Sequence, residues 1–481
     1  MHRSAVFFAI ALVVACHNTP PEGVYPCRQA TVAHDCPELW YCRRDNLCWI
    51  TDDPDAGVTG GDAGMPVVDA GPDAARDTGP HCTSETCNGM DDDCDGLIDE
   101  GVMTVGPAVT LTTQQLVVGA IVPTSRGFGI GELSFDPSPG SIWRSIDASG
   151  ASVAGPSLDA SVASRTVTDA ADVGASTLVV VAATAAAQAA VFGFDGTTGS
   201  ATLGATPFVL PLEAGRRGGS GMFSQASATR ATLYVGHSPT SGSGPSALRR
   251  YRLDLSGTPR ILDARDVALD VIGAVAVLGT DMVDYVVYGR SDNRIALIAV
   301  SAGDGAATFH VVGTIGDATS PAMDYAALAI RDRSADVSPS NPLGIAWEGR
   351  NTGNPPRTTL AFVEATNTTV LSTSTPITFP DAYGAWGGFY TWATVALVAL
   401  SDGPEHWVLV SQDTDTAATP TGGLVQVREI VGAGTNVRRL TVPSEALGPQ
   451  NNIAVALSAN HIRLVEASES SGLITRSIGC E

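Results

Sequence analysis

Beyond Val102 the chain settles into a recurring unit: a run of β-branched and aromatic residues, a turn, a second such run, then a turn rich in Asp and Gly. The first run appears as FGIGELS from Phe128, LVVVAAT from Leu178, LYVGHS from Leu233, YVVYG from Tyr285, GIAWEG from Gly344, WVLVSQ from Trp407 and IAVALS from Ile453, so successive starts lie 46 to 63 residues apart. Each is followed by a partner run that ends in a turn, such as VFGFDGTTG, YRLDLSG or LAFVEATN. Short strands repeating at this interval point to radially arranged sheets. The pattern predicts an all-β fold, a seven-bladed β-propeller over residues 103–481, with a β-sandwich pair or an eight-bladed ring as the competing arrangements. The additional run AVTLTT after Pro107 is expected to close the last blade against the first.

One apolar stretch, Leu178 to Phe194, is long and uncharged enough to raise a membrane span. It is rich in Ala, contains Gln188 and divides in the repeat register into two strands, so it is read as blade. The amino terminus reads differently. Met1 to Ala15 has a short leading segment with Arg3 and an apolar run, Ala5 to Val14, too short to cross a bilayer as a helix. Residues 1–15 are therefore a secretory signal peptide. Residues 16–50 follow as a small module with four cysteines, Cys27, Cys36, Cys42 and Cys48, in 22 residues; such a segment cannot bury a core without staples. Two disulfides in any of three connectivities would hold it, with Trp40, Tyr41 and Trp49 covering them. Residues 51–81 repeat Asp-Ala-Gly with scattered Pro and lack apolar periodicity, so this stretch is a disordered linker spanning roughly 30 Å.

Residues 82–102 carry the most specific motif. Asp91, Asp93 and Asp95 alternate ahead of Gly96, the order in which an EF-hand-type loop wraps carboxylate oxygens round a cation and turns at glycine. Leu97 would add a backbone carbonyl and Asp99 the ninth loop position, making calcium the expected cofactor. The twelfth position is Val102 instead of a bidentate Glu, so a helix-loop-helix EF-hand is not expected. The competing reading is a solvated acidic turn closed by Cys87 and Cys94.

Composition narrows the function. The 481 residues carry 27 basic and 50 acidic side chains for a net charge of −23, which argues against nucleic acid as a partner. Every basic residue is Arg, and without Lys there is no Schiff-base lysine, Walker-A lysine or Ser-Lys dyad. Nine Cys, an odd number, suit an oxidising compartment in which Cys16 is set apart and eight can pair: Cys27, Cys36, Cys42, Cys48, Cys82, Cys87, Cys94 and Cys480. Cys82 and Cys480 flank the repeats, and a disulfide between them would clasp a closed ring. His237, His310, His406 and His461 fall in separate repeats and are read as ordinary strand or surface residues, and no HExxH or complete nucleophile elbow occurs.

Two resemblances add an address. The tetrad Val13-Val14-Ala15-Cys16 resembles the lipobox of bacterial lipoproteins, which implies lipid modification of Cys16, and His17 in place of Asp implies the outer membrane or cell surface. The stretch from Cys87 to Glu100 resembles the MopE-type metal-binding motif of bacterial surface proteins, which implies a surface protein with a calcium site and no catalysis. The resulting expectation is a lipid-anchored envelope protein held to the membrane by its anchor. Its role would be non-enzymatic binding, adhesion or structure, with a protein or polysaccharide ligand. The rival is a propeller hydrolase or lyase of extracellular polymers, which would need carboxylates converging near the central channel.

Overall fold

The computed structural model describes residues 41–42 and 48–49 and, between residues 101 and 479, the strands and most of the turns joining them; the longest stretches outside it are 1–40, 50–100, 154–164, 380–394 and 443–451. The chain divides into two compact units, Met1–Asp77 and Thr78–Glu481. In the first, β1 (Tyr41–Cys42) pairs antiparallel with β2 (Cys48–Trp49), and the register sets Cys42 opposite Cys48 and Tyr41 opposite Trp49.

The second unit is all-β and propeller-like. It opens with β3 (Thr104–Val105) and β4 (Val109–Thr112). A four-stranded sheet follows, β5 (Leu116–Thr124), β6 (Gly127–Ser134), β7 (Gly140–Asp147) and β8 (Ser152–Val153). The next has β9 (Arg165–Val173), β10 (Ser176–Ala183), β11 (Ala189–Asp195) and β12 (Phe208–Val209). The stretch that raised a membrane span is thus a hairpin, with Leu178 opposite Gly193.

A seven-stranded sheet then runs β13 (Arg216–Ala226), β14 (Arg230–Pro239), β15 (Ser246–Asp254), β16 (Arg260–Gly279), β17 (Val283–Arg290), β18 (Arg294–Ser301) and β19 (Ala307–Thr314). After it come β20 (Ala322–Ala329), β21 (Leu343–Asn351), β22 (Asn354–Thr366) and β23 (Thr369–Thr373), with β24 (Ile377–Thr378) also on β22. A further sheet holds β25 (Val395–Ala399), β26 (His406–Thr414), β27 (Gly423–Val431) and β28 (Asn436–Leu440). The last combines β29 (Asn452–Ser458), β30 (His461–Ser468) and β31 (Gly472–Gly479) with β3 and β4, both paired to β31.

Strand-to-strand contacts close this series into a ring. β5 touches β9, β9 touches β13, and the sequence continues through β16, β20, β25 and β29, which returns to β5. Alternation along the strands leaves both faces apolar, so each sheet buries one face on the sheet before it and one on the sheet after. Trp143 of β7 packs edge-on against Phe194 of β11 with ring centroids 5.6 Å apart, and Phe362 of β22 lies 5.2 Å from Trp407 of β26. The seam where the ring closes is as dry: Met103, Val105, Val408, Val427, Leu464, Ile474 and Ile478 form one cluster.

The ring does not have the seven blades expected from the sequence: among the described residues five sheets have the form of a blade. These have four or five strands, and the repeats beginning at Leu233 and Tyr285 share the seven-stranded sheet. The cause is β16, a 20-residue strand whose residues up to Val271 pair with β15 and whose residues from Val271 onward pair with β17. Its sequence, RILDARDVALDVIGAVAVLG, has no Pro or Gly-Asp cluster at which pairing would stop, so it bends at Gly273 instead of breaking. Gly273 has φ +69°, and a Cβ there would collide with the Met323 carbonyl of β20. The fold therefore needs glycine at that position twice over. The bend lays Tyr234 and Leu248 against Val286, Tyr288 and Ile298 of the same sheet. The expected closing run is where the pattern placed it: Val109, Thr110 and Thr112 pair with Thr475, Ile474 and Leu473.

Candidate functional site

Nearly all the predicted site residues, Cys16, Cys27, Cys36, Cys82, Cys87, Asp91, Asp93, Cys94, Asp95, Leu97, Asp99 and Cys480, lie outside the described residues. Of the remaining two, Cys42 and Cys48 are brought opposite one another by their strand pairing. Among the described residues no cluster of three His, Cys, Asp or Glu side chains is placed to hold a metal ion, and no helix is long and apolar enough to cross a membrane.

The chemistry within the ring is concentrated in buried ionisable groups. At the seam, Glu429 of β27 accepts hydrogen bonds from the Gly101 amide at 2.9 Å and from Arg438 Nε of β28 at 2.7 Å. His406 Nε2 of β26 lies 3.1 Å from the same carboxylate, and Arg438 Nη2 also donates to the Met103 carbonyl at 2.8 Å. Burial alone would raise the Glu429 pKa, but the bonds from His406, the Gly101 amide and Arg438 outweigh it and hold the group below its ordinary range. This carboxylate fastens the entering chain to a sheet more than three hundred residues away. His406, read from sequence as an ordinary residue, is buried and belongs to this cluster.

Inside the seven-stranded sheet, Tyr234 OH donates to Asp284 Oδ2 at 2.8 Å and Arg250 Nε stands 3.5 Å from the same oxygen. Arg250 and Arg252 reach on to the carbonyls of Ala302 and Gly303 at 3.3 and 3.2 Å. Desolvation raises the Asp284 pKa against the pull of Tyr234 and Arg250. In the last sheet Arg476 Nε donates to Glu466 Oε1 at 2.9 Å, both side chains buried.

On the inner circle of strands, Asp169 of β9 accepts a 2.6 Å bond from the Phe223 amide of β13. One residue earlier, Thr168 Oγ1 donates to the Gly221 carbonyl at 2.9 Å and accepts from the Gly221 amide at 3.2 Å. Desolvation pushes the Asp169 pKa up to about 6, against the amides of Phe223 and Ala170 and the field of Arg333. Gln225 Nε2 continues this path to the Thr280 carbonyl.

The sequence carried a signal for two of these groups. In β27, Glu429 shares the alternate positions of Val425, Val427 and Val431, and in β9 Asp169 shares those of Val167 and Ala171, so each is a carboxylate written into an apolar register. In the turn after β15, Asp254 accepts from the amide and Oγ of Ser256 and pairs with Arg260.

No family model matches the chain, and no curated protein matches it. Among solved structures it is similar to a lectin of Aleuria aurantia in complex with Fucα1-6GlcNAc, at 10% identity and TM-score 0.38, covering 71% of this chain and 98% of the lectin. It is similar to the WD40 domain of SCAP from fission yeast at 7% identity and TM-score 0.39, covering 79% and 95%. A protein of unknown function from Dyadobacter fermentans aligns at 9% identity and TM-score 0.42, covering 79% and 100%.

Proposed function

We propose that this is a lipid-anchored protein of the bacterial outer membrane or cell surface whose ring serves non-enzymatic binding, adhesion or envelope structure, with a polysaccharide or protein as ligand. Cys16 carries the lipid, residues 51–81 hold the ring away from the membrane, and Asp91, Asp93, Asp95 and Asp99 with the Leu97 carbonyl bind calcium just ahead of the ring. One observation carries the binding role. The buried carboxylates Glu429, Glu466 and Asp284 are each engaged by partners on another strand, so they serve the scaffold and are not poised for proton transfer. The test is binding of the mature chain to an array of bacterial and plant polysaccharides, alongside an assay for released reducing ends. Retention on the array without cleavage is expected, and cleavage would overturn the reading. Retention of Cys16→Ala in the membrane fraction would remove the anchor, and an absence of heat in millimolar calcium titration would remove the ion.

A second reading, a hydrolase or lyase of extracellular polymers, draws on the Asp169 carboxyl of β9, which accepts the Phe223 amide and is pushed up to about 6 by desolvation. On that reading Asp169→Asn abolishes release of reducing ends.

A further inference from the structure

The connection between β20 and β21, residues 330–342, spans thirteen residues, whereas the other links from an inner strand to the next strand of its sheet span two to six. It is held by its own bonds. Arg331 Nη2 donates to the Ser340 carbonyl at 2.9 Å, Asn341 Nδ2 to the carbonyls of Asp332 at 3.0 Å and Asp336 at 3.3 Å, and Val337 is buried in the core. Ser338 and Asn341 exchange two backbone bonds. A loop packed on itself holds its exposed side chains in fixed places, and such loops commonly carry recognition residues.

The loop is moored to the end of the ring. The Arg333 carbonyl accepts the Asp281 amide at 3.3 Å, Thr280 beside it accepts Gln225 Nε2, and Phe223, two residues before Gln225, donates to Asp169. This path leads from the loop after β20 round to β9, and it brings the Arg333 guanidinium within the field of Asp169. Arg333 keeps exposed surface while the atoms around its guanidinium desolvate it and lower its pKa against the pull of Asp169, and that guanidinium makes no hydrogen bond or close ion pair among the described residues. The Asp281 amide fixes the Arg333 backbone, and a guanidinium with its donors unused is open to a planar acceptor, whose two carboxylate oxygens match its parallel N–H groups.

We propose that Arg333 recognises a carboxylate on a saccharide ligand, at the end of the ring where the 330–342 loop meets β9. The inference rests on the binding role above and names the ligand class. A chain of net charge −23 repels polyanions, which favours a lone uronate on an otherwise neutral sugar chain over a sulfated polymer. Asp169 is the internal competitor: removing its charge should strengthen binding, whereas removing Arg333 should weaken it.

The experiment is calorimetric titration of the mature chain with an oligosaccharide ending in one glucuronate and with its carboxyl-reduced counterpart. The acid form should bind about tenfold or more tightly than the reduced form, the factor that one charge-assisted pair supplies. Arg333→Gln should erase the preference, Arg333→Lys should keep part of it, and Asp169→Asn should raise affinity for the acid form several-fold. Equal binding of the two forms by the unaltered protein overturns the assignment to Arg333 while leaving a saccharide-binding role standing. Binding of neither form overturns this proposal, and the polysaccharide array then decides the broader reading. An undiminished preference in Arg333→Gln, with unchanged thermal melting, also overturns it.

Discussion

The seven-stranded sheet and the closing sheet solve the same problem by opposite means. Within β13–β19 one repeat passes to the next along an unbroken strand, so neighbours are joined by the backbone itself and a buried tyrosine, arginine and aspartate fill the fold between them. At the seam the partners come from opposite ends of the ring, and β3 and β4 must meet β31 without covalent help among the described residues. There a charged clasp is added: Glu429 binds the Gly101 amide and Arg438 binds the Met103 carbonyl. Covalent continuity leaves little entropy of closure to overcome, whereas a seam between distant segments must offset it with contacts.

The largest expected effect comes from breaking the seam. Glu429→Ala takes the acceptor from the buried His406 ring, the Gly101 amide and the half-exposed Arg438 at once and should lower unfolding free energy by about 3–5 kcal/mol, read by urea denaturation. Limited proteolysis should then cut first near residues 101–112. Acid should weaken the same clasp. The Glu429 pKa is lowered in the fold, so its contribution is present above the unfolded value and disappears as pH falls through the folded one.

Next in size is the bend of the continuous sheet. Gly273→Ala imposes strain at φ +69° and drives a methyl group into the Met323 carbonyl, at about 2–4 kcal/mol in the same measurement. An effect under 1 kcal/mol would mean that β16 bends elsewhere.

Asp169 should move stability the other way. Its folded pKa of about 6 lies above the ordinary 3.8, so the stability it gives is complete below the ordinary value and is lost as pH rises through about 6. Asn keeps an acceptor for the Phe223 amide and has no charge to desolvate. Asp169→Asn should therefore melt higher than the unaltered protein at pH 7.5, by about 1 kcal/mol after allowance for partial exposure, and the gain should vanish by pH 4. The smallest effect belongs to the exposed turn at Asp254, whose carboxyl is held well below its usual range by Ser256 and Arg260. Asp254→Asn should leave the melting curve unchanged, because solvent screens such surface pairs.

The strands themselves were legible because their signal is local. β-Branched runs bounded by Gly and Asp mark nearly every hairpin, and the isolated AVTLTT run already suggested a strand in search of a partner. The merging of two repeats was not legible. It depends on the absence of a turn in β16, and apolar alternation continues through a bend as readily as through a straight strand. The clasp was half legible: Glu429 in an apolar register announces a buried charge, but nothing local points to the Gly101 amide as its partner. Arg333 was silent in the sequence, since a loop's length and mooring become visible only once the strands on either side are placed.

The pairing of β3 and β4 with β31 also sets an order in time. Residues 104–112 are among the first of the ring to be made, and their partner, Gly472–Gly479, is the last of its strands. Throughout synthesis the early strands have open edges and an apolar face that nothing native can cover, a condition that invites pairing with other chains. Contacts that bridge 375 residues also form slowly. The rate at which the ring closes should accordingly be governed by the emergence of Gly472–Gly479, and a chain truncated before Gly472 should accumulate as an open, aggregation-prone ring.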